Sequence, residues 1–235
     1  MSSLTTASIE SSQNFNSEFP VKNPTHKADK SYHHGDLKKT LIRTACRRID
    51  DEGTEKLSLR ALAREAGVSP TAPYRHFSTK SSLLAAIATE GYLELLNYLD
   101  KYIAESGDDI IDQITAGARA YIDFALAEPT KFNLMFGGVV ADFSPYVDLQ
   151  NIANTTFNRF FSIVLLAQKS GKIAPGPIEE INAYLWSGIH GAASLLVNRK
   201  QQSNDKETTN GQKSIQCLRE QLDKIIERLV NGLLK

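Results

Sequence analysis

The side chains best suited to chemistry on a polyanion lie between Thr71 and Lys80. Thr71 offers a hydroxyl and a methyl, Ala72 lets the backbone approach a surface, and Tyr74, Arg75 and His76 follow with a phenol and cationic groups. Short residues that can meet base edges, followed by groups that reach phosphate oxygens, match the division between contacts that specify and contacts that position. Lys80 falls in the expected first turn of the next helix, where the helix dipole disfavours a cation. A positive charge kept there points to an anionic partner, here a phosphate. An αα-hairpin with ordinary surface charge is the plainer account of the same residues.

These side chains need two short helices and a tight turn to position them. Ser58 is placed to cap a helix over residues 59–66, closed by Gly67. Gly67-Val68-Ser69-Pro70 then reads as a turn and restart, with Ser69 as N-cap and Pro70 at the first helical position. The second helix runs to about Phe77, and Ala63 and Val68 are small enough for close packing. Pro73 is tolerated because it stays near the first turn. Ahead of this pair, Leu37, Leu41, Ala45 and Ile49 share one face of a helix, with Asp36 as N-cap or first-turn acid and Gly53 as its stop. Behind it, Ser78 is expected to cap a longer helix over residues 80–104.

The chain has 235 residues, 41% apolar and 23% charged, as a globular protein does. Its 27 basic and 27 acidic residues cancel, which taken alone speaks against nucleic acid. The distribution reverses that. Residues 31–80 carry ten Lys/Arg against six Asp/Glu, residues 1–30 balance, and residues 81–235 hold the compensating acidic surplus. A small basic head on an acidic body fits a protein that touches phosphates at one end. No apolar run is long enough to span a bilayer, and the N-terminus lacks a secretory pattern, so a cytoplasmic protein is expected.

Residues 1–30 are polar and aperiodic and are expected to form a disordered arm. From Asp108 onward the periodicity is helical throughout. Ile111, Ile114, Ala118, Tyr121, Ile122 and Ala125 form one stripe. A short segment follows Pro129 and stops at Gly137-Gly138. Phe157, Phe160 and Phe161 mark an aromatic-faced helix ending before Gly171, and Ile178 to Leu196 supply the next. Residues 200–213 read as an exposed loop, and a single last helix carries Ile215, Leu218, Leu222, Ile225, Ile226 and Leu229 near a heptad pattern. The fold class is all-α, with no convincing strand.

Tyr32-His33-His34-Gly35-Asp36-Leu37, Leu57-Ser58-Leu59-Arg60, Ala66-Gly67-Val68-Ser69, Ala72-Pro73-Tyr74-Arg75-His76-Phe77 and Lys80 closely resemble the DNA-binding domain of TetR-family repressors. The resemblance covers about fifty residues in order and spacing. It implies a three-helix helix-turn-helix head with Ser58, Arg60, Thr71, Ala72, Tyr74, His76 and Lys80 at the family's DNA-contacting positions, and Ser69 and Arg75 are read as DNA-binding beside them. Trp186-Ser187-Gly188-Ile189-His190-Gly191, with Lys131-Phe132-Asn133-Leu134-Met135-Phe136, is similar to a Trp/His-Gly subgroup of TetR C-terminal domains. Each glycine inside a helix costs about 1 kcal/mol relative to alanine. Gly188 and Gly191 therefore imply a close approach, in a dimer interface or in internal packing.

The organisation expected is an arm over 1–30, the DNA-binding head over 31–80, and a larger helical effector-binding and dimerisation domain over 81–235. Phe124, Phe132, Met135, Phe136, Phe157, Phe161 and Trp186 are placed to line an apolar effector cavity or to fill plain core. His190 is a ligand contact or a hydrogen-bonded core histidine. The function expected is that of a homodimeric regulator, by family habit a repressor, released from a palindromic operator by a small, largely apolar effector. A regulator of the same fold without an effector and a helical small-molecule-binding protein with a vestigial head are the rival readings. No catalytic residue, metal or cofactor is expected. His26, His33 and His34 have no cysteine or carboxylate ligands beside them, Ser187 and His190 lack a third partner, and Cys46 reads as a small buried hydrophobe.

Overall fold

The computed structural model describes residues 34–140, 142–200 and 209–234. The expected arm over 1–30, the metal reading of His26 and His33, and most of the expected 200–213 loop lie outside the described residues. His34 and Asp36 are described in backbone only.

Helix α1, His34–Glu52, turns Leu37, Leu41 and Ala45 inward at the expected four-residue spacing, with Ile42 beside them. It begins two residues ahead of Asp36, which is therefore a first-turn acid and not the N-cap. Gly53 ends it at φ +79°. Helix α2, Leu59–Glu65, opens on Ser58, whose Oγ accepts from the Ala61 N–H at 3.2 Å. Gly67 then takes φ +68°, a left-handed conformation that costs an L-residue with a Cβ about 1–2 kcal/mol.

The second element of the pair differs from expectation. Ser69 caps no helix and Pro70 opens none. The segment folds as one 3-10 turn, Ala72–Arg75, entered through Thr71. Two prolines explain it. Pro70 and Pro73 have no N–H to give, and the donors between and after them close short bonds, Ala72 N–H to Ser69 O at 3.0 Å and Tyr74 N–H to Thr71 O at 3.2 Å. Such three-residue closures define the tighter helix.

Helix α3, Lys80–Glu105, is capped by Thr79 and not by Ser78. Thr79 Oγ1 accepts from the Ser82 N–H at 3.0 Å while Ser82 Oγ lies 3.1 Å from the Thr79 N–H, a reciprocal capping box. One end of α3 completes the head core with Leu83, Leu84 and Ile87, beside Leu41, Leu62 and Phe77. The rest serves the body through Tyr92, Leu95, Leu99 and Ile103.

The body follows as α4, Ile110–Ala127, α5, Pro129–Phe136, α6, Val147–Lys169, and α7, Ile178–Lys200. Helix α3 packs on α4, α5 and α6, and α4 packs on α7. The expected final helix is two, α8, Asn210–Glu220, and α9, Leu222–Asn231, broken at Gln221 without a proline or glycine. Residues 210–213, expected as loop, are helical because Thr209 and Gln212 form a second capping box. One isolated antiparallel bridge, Ile173 to Leu234, is the only β-pairing among the described residues. No helix there is long and apolar enough to cross a membrane.

The two helical glycines of α7 differ in their surroundings. A Cβ at Gly188 would meet Leu229 of α9 at 2.7 Å, so this glycine serves packing within the chain. A Cβ at Gly191 would meet nothing within 4 Å.

Cys46 is half-buried on α1, and desolvation pushes its thiol up to about 11, whereas Cys217 is exposed. Below that pKa Cys46 stays protonated and poorly nucleophilic. A disulfide-exchange reagent at pH 8 is expected to label Cys217 quickly and Cys46 only after unfolding. Two fast thiols in the native protein would contradict this.

Candidate DNA-facing surface and internal cavity

In the head, Leu59, Leu62, Phe77 and Leu83 form the apolar floor from which three short stretches project. Ser58 and Arg60 open α2, the 3-10 turn follows, and Lys80 opens α3. Arg60, Ser69, Thr71, Tyr74 and Arg75 are exposed, Tyr74 with 47% of its surface in solvent. The hydroxyls of Ser69 and Thr71 lie 3.2 Å apart. Ala72 and His76 are half-buried, and His76 Nε2 is buried without a hydrogen-bond partner among the described residues.

Two residues of the expected contact set have partners within the chain. Ser58 Oγ is engaged as the α2 cap. Lys80 Nζ donates to the Glu55 carbonyl at 3.3 Å, so its charge has an acceptor inside the chain and its position does not by itself demand an external anion. Arg60 and Arg75 form no ion pair among the described residues, whereas Arg47 and Arg48 on α1 are held by Glu65, and Arg48 also by Glu52 at 2.9 Å. Of the cations in the expected contact set, Arg60 on α2 and Arg75 in the 3-10 turn are thus exposed without an ion pair among the described residues; outside that set, so are Lys38, Lys39 and Arg43 on α1 and Lys56 ahead of α2.

In the body, a cavity of about 30 Å³ lies between α3, α4, α6 and α7. That is room for roughly one water. Phe157, Phe161 and Trp186 line it, together with Tyr92, Tyr121 and Phe160. Phe160 reaches in because α4 carries Gly117 opposite, where a Cβ would sit 2.6 Å from the ring. The other expected lining residues are elsewhere. Phe124 is fully buried edge-on to Tyr98, and Met135 covers Gly91. Phe132, Phe136 and His190 form a second layer behind the wall: His190 stacks on Phe132 with centroids 5.4 Å apart and lies 5.1 Å from Phe136 and 5.3 Å from Trp186.

His190 is hydrogen-bonded, with Nδ1 2.8 Å from Tyr121 Oη and Nε2 3.3 Å from Ser194 Oγ. Burial lowers its pKa and favours the neutral imidazole. Periodicity puts Tyr121 in a core stripe; nothing in it distinguishes a ring that fills space from one whose hydroxyl meets a histidine 69 residues away.

Helix α5 joins the two sites. Its Leu134 is 1% exposed within the head core, while Phe132 and Met135 belong to the body core. Thr130 hydrogen-bonds Asp50 near the end of α1, and Lys131 pairs with Glu94 at 2.7 Å and Glu128 at 3.1 Å.

An all-helical chain with a compact helix-turn-helix head built onto a helical body is the architecture of a DNA-binding transcription regulator. Known proteins agree. Residues 41–87 match the model of bacterial regulatory proteins of the tetR family, and residues 114–211 match a tetracyclin repressor-like C-terminal domain. The HTH-type transcriptional regulator Rv1816 of Mycobacterium tuberculosis is 27% identical over 184 residues, covering 67% of this chain and 79% of its own. A protein of unknown function from Rhodococcus sp. RHA1 is 29% identical, with TM-score 0.69 over 88% of this chain and 100% of that one. The regulator PfmR from Thermus thermophilus, at 14% identity and TM-score 0.58 over 80% of this chain and 97% of its own, shares the fold. The chain belongs to the TetR family of transcriptional regulators.

Proposed function

We propose that the chain is a homodimeric regulator, acting as a repressor, that binds a palindromic operator through residues 31–80 and is released when a small apolar effector enters the body formed by residues 81–235. The exposed row Arg60, Ser69, Thr71, Tyr74 and Arg75 on a rigid apolar floor carries the reading. Ser58, Ala72, His76 and Lys80 complete the contact set, with Ser58 and Lys80 also holding the helix starts. Helix α7 with α8 and α9 pairs with the same elements of a second copy. The open side of Gly191, where among the described residues no atom beyond its own helix backbone and chain neighbours lies within 4 Å of a Cβ, supports a close approach there. Two heads one helical turn apart, roughly 34–36 Å, then read successive major grooves. The likeness to the Trp/His-Gly subgroup rests on residues 131–136 and 186–191.

Helix α3 spans both cores and α5 contributes to both, so expansion of the cavity moves the head through them. The coupling is set by how much more tightly the effector binds the released state, typically about 1–3 kcal/mol. The small cavity also gives footing to a second reading, a regulator of the same fold that takes no small molecule. Selection of the full chain against random duplexes, with sequencing, tests the first reading. A palindrome with half-sites one turn apart is the expected result. An enriched sequence without dyad symmetry would overturn the dimeric reading, and no enrichment would overturn DNA recognition.

A further inference from the structure

The cavity wall has few polar side chains, and one of them, Tyr121, also approached by Trp186, heads a hydrogen-bonded relay. Tyr121 and Trp186 line the cavity, and Tyr121 Oη leads to His190 Nδ1 at 2.8 Å and from there to Ser194 Oγ at 3.3 Å. Two other polar side chains stand at the wall, the phenol of Tyr92 and Thr156, the latter turned to the carbonyls of Ile152 at 2.8 Å and Tyr92 at 3.2 Å. Among the described residues, no acid, lysine or arginine is part of the lining.

We propose that the effector is an uncharged molecule with an apolar body and one hydroxyl or carbonyl, and that the Tyr121–His190–Ser194 relay receives that group. This rests on the effector reading above and names the chemistry of its ligand. A neutral imidazole has one donor and one acceptor nitrogen, and its tautomer is set by its partners. With the proton on Nε2 facing Ser194, Nδ1 accepts from Tyr121 and the phenol oxygen keeps a lone pair for a ligand hydroxyl. With the proton on Nδ1, the Tyr121 proton is free for a ligand carbonyl. The relay therefore serves either neutral group without creating charge. A carboxylate or ammonium would enter an apolar space with no ionic partner and bear the cost of desolvation. The surrounding rings supply the body's contacts, with Trp186, 36% exposed, forming the outer wall.

Trp186 is the chain's one tryptophan, so its emission reports the cavity directly. The experiment titrates the full-length protein with para-ethylphenol, ethylbenzene and para-ethylbenzoate, and repeats the first two with Tyr121→Phe. The phenol is expected to bind about 3- to 10-fold more tightly than the hydrocarbon, the advantage of one net hydrogen bond, and the benzoate not to register. In Tyr121→Phe the two affinities should converge while that of ethylbenzene stays unchanged, which also shows the variant folded. Equal wild-type affinities, a preference that survives Tyr121→Phe, or benzoate binding as tightly as the phenol would overturn the proposal and leave the effector cavity standing. Absence of binding by all three would overturn the proposal and the cavity reading beneath it.

Discussion

Replacing Leu134 with alanine is expected to lower the free energy of unfolding by about 2–5 kcal/mol, among the largest effects of any single truncation in this chain. Leu134 is 1% exposed and stands in the head core, yet it is carried by α5, a helix of the body. Truncation removes buried methyl groups and leaves a void lined by residues on separate elements. Phe132 and Met135 hold α5 from the other side, and the Thr130–Asp50 hydrogen bond pins its first turn, so the site has little freedom to collapse. Urea unfolding followed by circular dichroism reads the effect. A loss under about 1 kcal/mol would mean that α5 is not wedged into the head, and coupling would then rest on α3 alone.

Thr71→Val, which removes a base-directed hydroxyl, and Tyr74→Ala, which removes a phosphate-directed phenol, are expected to weaken binding to the selected operator by about 10- to 100-fold each, the range for losing an interaction of about 1–3 kcal/mol. Neither should cost much stability. Both side chains are exposed, and Thr71 Oγ1 meets only the neighbouring Ser69 hydroxyl among the described residues. Surface changes of this kind stay within about 0.5 kcal/mol. A titration of labelled operator duplex at fixed salt separates the outcomes. Unchanged affinity in both variants would place the reading surface elsewhere on the head.

What is legible in the sequence is local. The four-residue spacing of Leu37, Leu41 and Ala45, the cap at Ser58 and the stops at Gly53 and Gly67 place α1 and α2 within a residue or two, because each is decided by near neighbours. The 3-10 turn is within reach as well. Pro70 alone reads as a helix start, but Pro70 and Pro73 together remove two donors from a segment too short to spare them. Thr79 displaces Ser78 because Ser82 completes its box, and Thr209 with Gln212 does the same in a stretch whose lack of apolar residues suggests a loop. What stays hidden depends on contacts across the fold. The Lys80 bond to Glu55 O, Gly188 beneath Leu229 and Tyr121 against His190 carry no periodic signature. Nor does composition tell a ring lining a cavity, such as Phe161, from one sealed in core, such as Phe124.

The central claim is that the head grips DNA through the exposed cations of α2 and the 3-10 turn. Its most direct test is the salt dependence of duplex binding by the wild type and by the double variant Arg60→Gln, Arg75→Gln. Each phosphate left without its cation takes about 0.9 off the slope of log affinity against log salt. The wild type is therefore expected to weaken steeply as salt rises, and the double variant, which removes two cations from each of the two heads, to show a slope shallower by about 3.6. A wild-type affinity that does not change with salt, or a slope the two substitutions leave untouched, would contradict the account.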